Sequence, residues 1–265
     1  MNTLTGQGIR IRVGAATDVG RVRAHNEDCY LAENLLWGVA DGMGGHAAGE
    51  VASRIGVDTV GALAYRHPLR PDDLLGAIRD ANARILASGS TPETEGMGTT
   101  FAGLAVVEAA GADHWCVVNV GDSRVYRLIG NRMSQITHDH SEVRELLDAG
   151  LITPAEAARH PMRNIITRSL GTDPAPTPDV WVFPPSRGER FLLCTDGLTN
   201  EVGERDLMLA LRTDADPQII AEGLVDAAVR NGGRDNVTVV VVAVDTDEDD
   251  EEEADTSPRS ALNPN

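Results

Sequence analysis

The sequence predicts an α+β fold, a sandwich of mainly antiparallel β-sheets flanked by helices, on three observations. Apolar stretches of strand length, several of them alternating in character, recur along the chain. Helix-period segments come grouped and do not alternate one to one with strands, so the pattern of a parallel βαβ array is missing. Turns rich in Gly, Asp and Asn separate the central strands.

Taken in order, IRIRVGAAT over residues 9–17 predicts a first strand, and CYLA and LLWGVA predict two short ones after a loop. Two amphipathic helices follow. In the first, Val51, Ile55, Thr59 and Leu63 recur every four residues; the second starts at Pro71 and Asp72 and repeats Leu74, Ile78, Ala81 and Ile85. TTFAGLAVVE, DHWCVVNV, SRVYRLI and RMSQIT then read as strands of an antiparallel meander. Residues 138–178 are mixed, with a helix over 142–149 and the proline-punctuated LITPAEAARHP, and are placed to cover a site. RFLLCT returns to strand, helices are expected near 203–212 and 217–230, and VTVVVVAV closes the fold. Without an internal repeat or an earlier break in composition, residues 1–244 count as one domain and residues 245–265 as a tail.

At 265 residues and 42% hydrophobic content the chain can bury a sizeable core, built from Val, Leu, Ile and Ala because aromatics are only 3%. A formal charge of −18 and the lack of interleaved bases and aromatics exclude nucleic acid as a partner. Nine acids and one Arg fall in residues 245–265, which predicts a solvated, disordered tail. Its likeness to a calcium loop through Asp245, Asp247 and Asp249 fails where Asp250 replaces the required Gly and Thr256 the closing Glu. All 23 basic residues are Arg, so a phosphate can be held only by Arg, backbone or metal. Cys29, Cys116 and Cys194 lie far apart in apolar stretches and read as buried, reduced thiols. The amino terminus has no apolar leader and no run approaches a membrane span, which predicts a cytoplasmic protein unless an anchor followed in a longer chain.

Four carboxylates stand beside apolar strands with Gly one to three residues away: Asp41, Asp122, Asp196 and Asp235. Any one alone reads as a turn former. Four together raise the prospect that they converge at one sheet edge, where their repulsion requires cations. Oxygen ligands favour Mg2+ or Mn2+, two ions bridged by a carboxylate, with Gly42 offering its carbonyl. The rival reading of GVADGMGGHAAG, a dinucleotide loop through Gly42, Gly44 and Ala47, would set Asp41 against a pyrophosphate and lacks its βαβ unit. In RAHNED, Arg23 lies near Glu27 and Asp28, either as a surface ion pair or as a fork for a phosphate dianion.

The stretches TDVGRVRAHNED, ADGMGGHAAGE, GMGTTFAG, VNVGDSRVYRL, NIITRSLG, LLCTDGLTN and GGRDNVTVVVV together resemble the PPM family of metal-dependent serine/threonine protein phosphatases, the PP2C type, in its bacterial form. The resemblance spans roughly residues 17–244 in the family's order and implies an αββα sandwich with a metal cleft at one sheet edge. It implies Asp41 as the bridging carboxylate, Gly42 as the carbonyl ligand, and Asp196 and Asp235 as the other ligands of the first ion. Glu27 and Asp28 match contacts to the second ion, some through water, and Asp122 with Asp196 matches a third-ion position. Arg23 matches the phosphate-binding arginine. The implied chemistry is hydrolysis of phosphoserine and phosphothreonine by metal-activated water, without a phosphoenzyme. One departure is Met43, where many relatives carry a His able to act as general acid; His46, His138 and His140 are nearby in the sequence or in motif-bearing loops. Residues 138–178 match the family's variable flap, where Arg163 and Arg168 either contact phosphopeptide or are ordinary solvated arginines. The expectation is a monomeric cytoplasmic phosphatase acting on phosphoproteins, Ser/Thr kinases and their substrates. The alternatives are a catalytically silent phosphoprotein-binding regulator and a two-metal phosphatase of small metabolites.

Overall fold

A computed structural model describes residues 2–3, 10–44, 48–89, 91, 94–157 and 159–245. In chain order the strands are β1 (Asn2–Thr3), β2 (Arg10–Asp18), β3 (Asp28–Glu33), β4 (Leu36–Met43), β5 (Gly98–Thr99), β6 (Phe101–Ala109), β7 (Ala112–Val120), β8 (Arg124–Ile129), β9 (Arg132–Gln135), β10 (Asp179–Phe183), β11 (Arg190–Cys194) and β12 (Val237–Val244). The helices are α1 (Ala48–Gly61), α2 (Pro71–Ser88), α3 (Glu142–Asp148), α4 (Pro154–Ala157), α5 (Asp196–Thr199), α6 (Glu204–Leu211) and α7 (Pro217–Asn231). The predicted tail beyond Asp245 lies outside the described residues, as do His46 and Ala47. Among the described residues no helix is long and apolar enough to cross a membrane.

Two antiparallel sheets result, one in the order β1-β2-β12-β11-β8-β9 and one in the order β10-β7-β6-β4-β3, with β5 paired to β4. Side-chain alternation builds three cores from them. On β6, Ala102, Leu104 and Val106 face the other sheet, while Phe101, Ala105 and Val107 face the layer of α1 and α2. On β12, Val240, Val242 and Val244 point into the same inter-sheet core, and Val237, Val239 and Val241 meet α6 and α7. Such a strand is buried throughout, which is why VTVVVVAV is apolar without alternation. Each fully buried Val contributes about 1.5–3 kcal/mol relative to exposure. The layers therefore run helix, sheet, sheet, helix. The scarce aromatics concentrate between the sheets, where Trp115 stacks edge-on to Phe191 at 5.0 Å and lies 6.1 Å from Trp37. The indole N–H of Trp115 donates to the fully buried Glu189, whose other oxygen accepts from Arg127 Nε at 2.6 Å.

Two expectations are corrected. The four central strands do not form one meander, because β6 and β7 belong to one sheet and β8 and β9 to the other. The chain changes sheets at Gly121–Asp122–Ser123, a turn with the same chemistry as a hairpin. Gly121 has φ +109, and a Cβ there would come 2.6 Å from Thr100. In α1 the buried residues are Ala48, Gly49, Ala52, Ser53, Gly56, Val57, Thr59 and Val60; of the expected face, Thr59 is buried and Ile55 and Leu63 pack against the core, while Val51 is 39% exposed. Ala48, Gly49, Ala52 and Gly56 let this helix approach closely, which shifts its buried face away from Val51. The strand β10, from DVWVF, was not anticipated in its proline-rich surroundings, nor were the short α4 and α5. At the far end of the sheets β6 and β7 are joined through Ala110 and Gly111, both with left-handed φ.

Candidate metal centre

The strand registers gather the predicted carboxylates at one end of the sandwich. Asp28 opens β3 and stands directly opposite Asp41 in the β3–β4 ladder. Asp122 lies two residues beyond Val120, which pairs with Phe101 at the same end. In the other sheet Cys194 pairs with both Val239 and Arg124, so Asp196 after β11 and Asp235 before β12 extend past that edge too. Gly42 sits on β4 beneath the first turn of α1. A Cβ on it would fall 2.1 Å from Gly49 O and 2.5 Å from Glu27 O, so only Gly lets the helix seat there.

Polar residues that the sequence reading left without a role fix these acids. The Asp41 N–H donates to Thr100 Oγ1 at 2.9 Å, and its carbonyl accepts from Thr100 N–H and from the Thr99 hydroxyl, each at 2.9 Å. Thr100 Oγ1 lies 2.7 Å from Ser123 Oγ, tying the Asp41 strand to the Asp122 turn. Asp28 Oδ2 accepts from Thr195 Oγ1 at 2.8 Å, and that hydroxyl accepts from Thr238 N–H at 3.0 Å. The Glu27 N–H donates to Asn236 Oδ1 at 2.8 Å, while Asn236 Nδ2 donates to the carbonyls of Val19 and His25. Ser123, Thr195 and Asn236 adjoin an acid in the quoted motifs and Thr99, Thr100 and Thr238 do not; the burial of all six is the signal that would have singled them out.

Burial, reinforced by mutual repulsion, disfavours the charged forms of these acids. It pushes Asp28 up to about 7, against the opposing hydroxyls of Thr238 and Thr195 and with Asp196 and Asp235 adding to the rise. Asp122 is pushed up to about 8 by burial and by Asp196 and Asp139. Asp41 is raised well above the usual carboxylate range by burial and by Asp28, Asp196, Asp122 and Asp235. Burial raises Asp196 and Glu27 as well. Asp28 Oδ1 and Asp122 Oδ1 are buried without a hydrogen-bond partner among the described residues. The nearby cations leave those two oxygens unpaired, because Arg124 is held by Asp139 at 2.6 Å and Arg23 pairs with Asp235 of the cluster itself at 2.8 Å.

Orphaned oxygens in an all-oxygen donor set fit hard divalent cations. Among the described residues no group of three His, Cys, Asp or Glu side chains is gathered closely enough to hold an ion unaided.

Other candidates are placed elsewhere. His140 is 5% exposed with both ring nitrogens engaged: Nδ1 accepts from Gly121 N–H at 3.1 Å, which leaves Nε2–H to donate to Asp179 at 3.2 Å. Burial lowers its pKa, so it is a neutral clamp on the turn before Asp122. His138 is exposed and stacks on Trp181 at 6.2 Å. Arg168 is tied to Asp179 at 3.1 Å, whereas Arg163 has no side-chain partner among the described residues. The cysteines are free; Cys116 and Cys194 are buried and pushed up to about 12 by that burial, which rules out a ready thiolate. The dinucleotide reading fails because every strand pairing of β4 is antiparallel.

A four-layer α/β/β/α sandwich with acids at one sheet edge is the architecture of the PPM phosphatases, and comparison with known proteins agrees. The crystal structure of the Mycobacterium tuberculosis serine/threonine phosphatase PstP/Ppp superposes with a TM-score of 0.83 at 39% identity, over 89% of this chain and 99% of that one. A structure of the PstP catalytic domain in complex with two manganese ions gives 0.82 at 37% identity, over 90% and 100%. A family model described as protein phosphatase 2C matches residues 23–219. The chain belongs to the protein phosphatase 2C family. It is 42% identical over 238 residues to the Mycobacterium tuberculosis serine/threonine protein phosphatase PstP, covering 87% of this chain and 44% of that protein, so it spans less than half of that relative's length.

Proposed function

We infer that this chain is a metal-dependent protein phosphatase that hydrolyses phosphoserine and phosphothreonine. The observation that carries the reading is the set of buried carboxylates, two with orphaned oxygens, meeting at one sheet edge. Membership of a family whose PstP relative was crystallised with two manganese ions supports it. When bound, Mn2+ or Mg2+ supplies Lewis-acid charge and lowers the pKa of water. In this reading Asp41, the Gly42 carbonyl, Asp196 and Asp235 hold the first ion, Glu27 and Asp28 serve the second, and Asp122 shares a third position with Asp196. Arg23 is 51% exposed and bonded through one nitrogen, so its remaining donors can take a phosphate dianion. The substrates are phosphoproteins, among them Ser/Thr kinases and their targets, met by a monomer in the cytoplasm. Residues 138–178 act as the flap.

The test is phosphate release from a phosphothreonine peptide by purified protein with Mn2+, and its loss on chelation. Absence of release with Mn2+ would instead support a silent regulator, and preference for small phosphate esters a metabolite phosphatase. Arg23→Ala is expected to raise KM for the peptide about tenfold or more with a smaller change in kcat, and an unchanged KM would remove its phosphate role.

A further inference from the structure

A groove of about 930 Å3 starts at Arg23 and Asp235 and runs between α5–α6 on one side and α3 with residues 159–164 on the other. Its charge is opposite to that of the chain. Arg23, Arg124, Arg144, Arg159, Arg163 and Arg234 line it against four carboxylates, in a protein of formal charge −18. Ion pairs sort these arginines into two kinds. Arg124 is held by Asp139 at 2.6 Å, Arg234 by Glu201 at 2.7 Å, Arg23 by Asp235 at 2.8 Å and Arg144 by Asp148 at 3.0 Å. Three of the four lining acids are thereby neutralised, and Glu204 is the fourth.

Arg159 and Arg163 are different: both are exposed, and neither side chain has a partner among the described residues. Their backbone is nevertheless fixed by successive turns, Arg159 N–H to Glu156 O at 3.1 Å and Arg163 N–H to His160 O at 3.2 Å. Thr153, at the start of this run, is bonded through its N–H and hydroxyl to Glu156, each at 2.8 Å. Unpaired guanidinium groups whose backbone is held by these bonds, within a cleft of an acidic molecule, focus positive potential there. Their planar forks match the oxygens of a phosphoryl or carboxylate group.

We propose that Arg159 and Arg163 bind a second anionic group of the substrate, so that the preferred substrate is a phosphoprotein segment carrying a further phosphoryl group or acidic side chain several residues from the ester hydrolysed. The proposal rests on the hydrolytic reading of the Arg23 end of the groove and adds to it the chemistry of the flanking residues.

The experiment compares kcat/KM, with Mn2+, for a singly phosphorylated threonine peptide with neutral flanks and for versions carrying a second phosphothreonine or an Asp. The second group is scanned over roughly two to six residues on either side, the reach of an extended chain at ~3.3 Å per residue across such a groove. The wild-type protein is expected to favour the best doubly phosphorylated peptide about tenfold or more, with the Asp peptide in between. The advantage should reside in KM and shrink between roughly 50 mM and 500 mM NaCl. Arg159→Ala with Arg163→Ala should bring the ratio near one, and the double Lys replacement should keep part of it. Arg79→Ala, which removes the same charge from an exposed position on α2, should keep it whole. A wild-type ratio near one at every spacing, or a ratio that survives the double Ala replacement in folded protein, overturns the proposal while turnover of the singly phosphorylated peptide leaves the phosphatase reading standing. No turnover of any peptide overturns both.

Discussion

Asp196→Ala is expected to lower Mn2+-dependent hydrolysis of a phosphothreonine peptide by at least about a thousandfold, measured as kcat at saturating cation. The size of the effect follows from position. Asp196 stands two residues beyond the end of β11, opens α5, and is proposed to serve both the first and the third ion, so its loss removes negative charge from both positions. Asp196→Asn separates charge from shape. It keeps the volume and the approach of Asn200 Nδ2, which now donates to Asp196 Oδ2 at 3.0 Å. Because the Asp196 charge helps to raise Asp28, Asp122 and Asp41, removing it relieves repulsion in the cation-free protein. The Asn variant should therefore melt above the wild type in chelator yet gain little from Mn2+ and stay inactive, a trade of function against stability. Activity close to wild type in either variant would remove Asp196 from the site.

The second large effect is a stability that falls as pH rises when divalent cations are absent. Asp28 and Asp122 hold protons up to about 7 and about 8 in the folded chain, well above the ordinary carboxylate value of 3.8 to which unfolding returns them. Between those limits the folded state binds more protons than the unfolded state, so the free energy of unfolding decreases with pH. In chelator the Tm contribution of this cluster should thus decline from about pH 4 to about pH 8. Added Mn2+ takes over the role of the protons, and its stabilisation should grow over the same window, reaching about 2.7 kcal/mol at a hundred times its Kd. Asp122→Asn should flatten the slope. A slope of opposite sign in chelator, or one indifferent to Asp122→Asn, would contradict the placement of these acids in a dry, shared pocket.

Much of this arrangement is legible in the chain because strand ends carry it. Asp41, Asp122, Asp196 and Asp235 are conspicuous where an apolar run meets Asp and Gly; strand pairing brings them to one end of each sheet, and the stacking of the two sheets brings the pairs together. The change of sheet at Asp122 was not legible, since VNVGDSRVY has the same local chemistry whether its second strand returns beside the first or crosses to the opposite layer. The phase of α1 was hidden for a related reason. More than half of its buried residues are Ala, Gly and Ser, beside Val57, Thr59 and Val60, and a hydrophobicity pattern is blind to size. The threonines and Asn236 that hold the acids escaped because burial, not composition, distinguishes them from ordinary turn residues. Arg163 and Arg168 looked equivalent in NIITRSLG and its approach; only ion pairing with Asp179 separates them.

The turn at Ala110 and Gly111 sits a full strand away from Phe101 and Val120, about 30 Å at ~3.4 Å per residue. Neither the cluster of acids nor the arginine-lined groove extends to that pole. It is accordingly the place to splice in a fluorophore-binding tag or a surface tether, since the chain could be immobilised or watched from there with its acidic end left free.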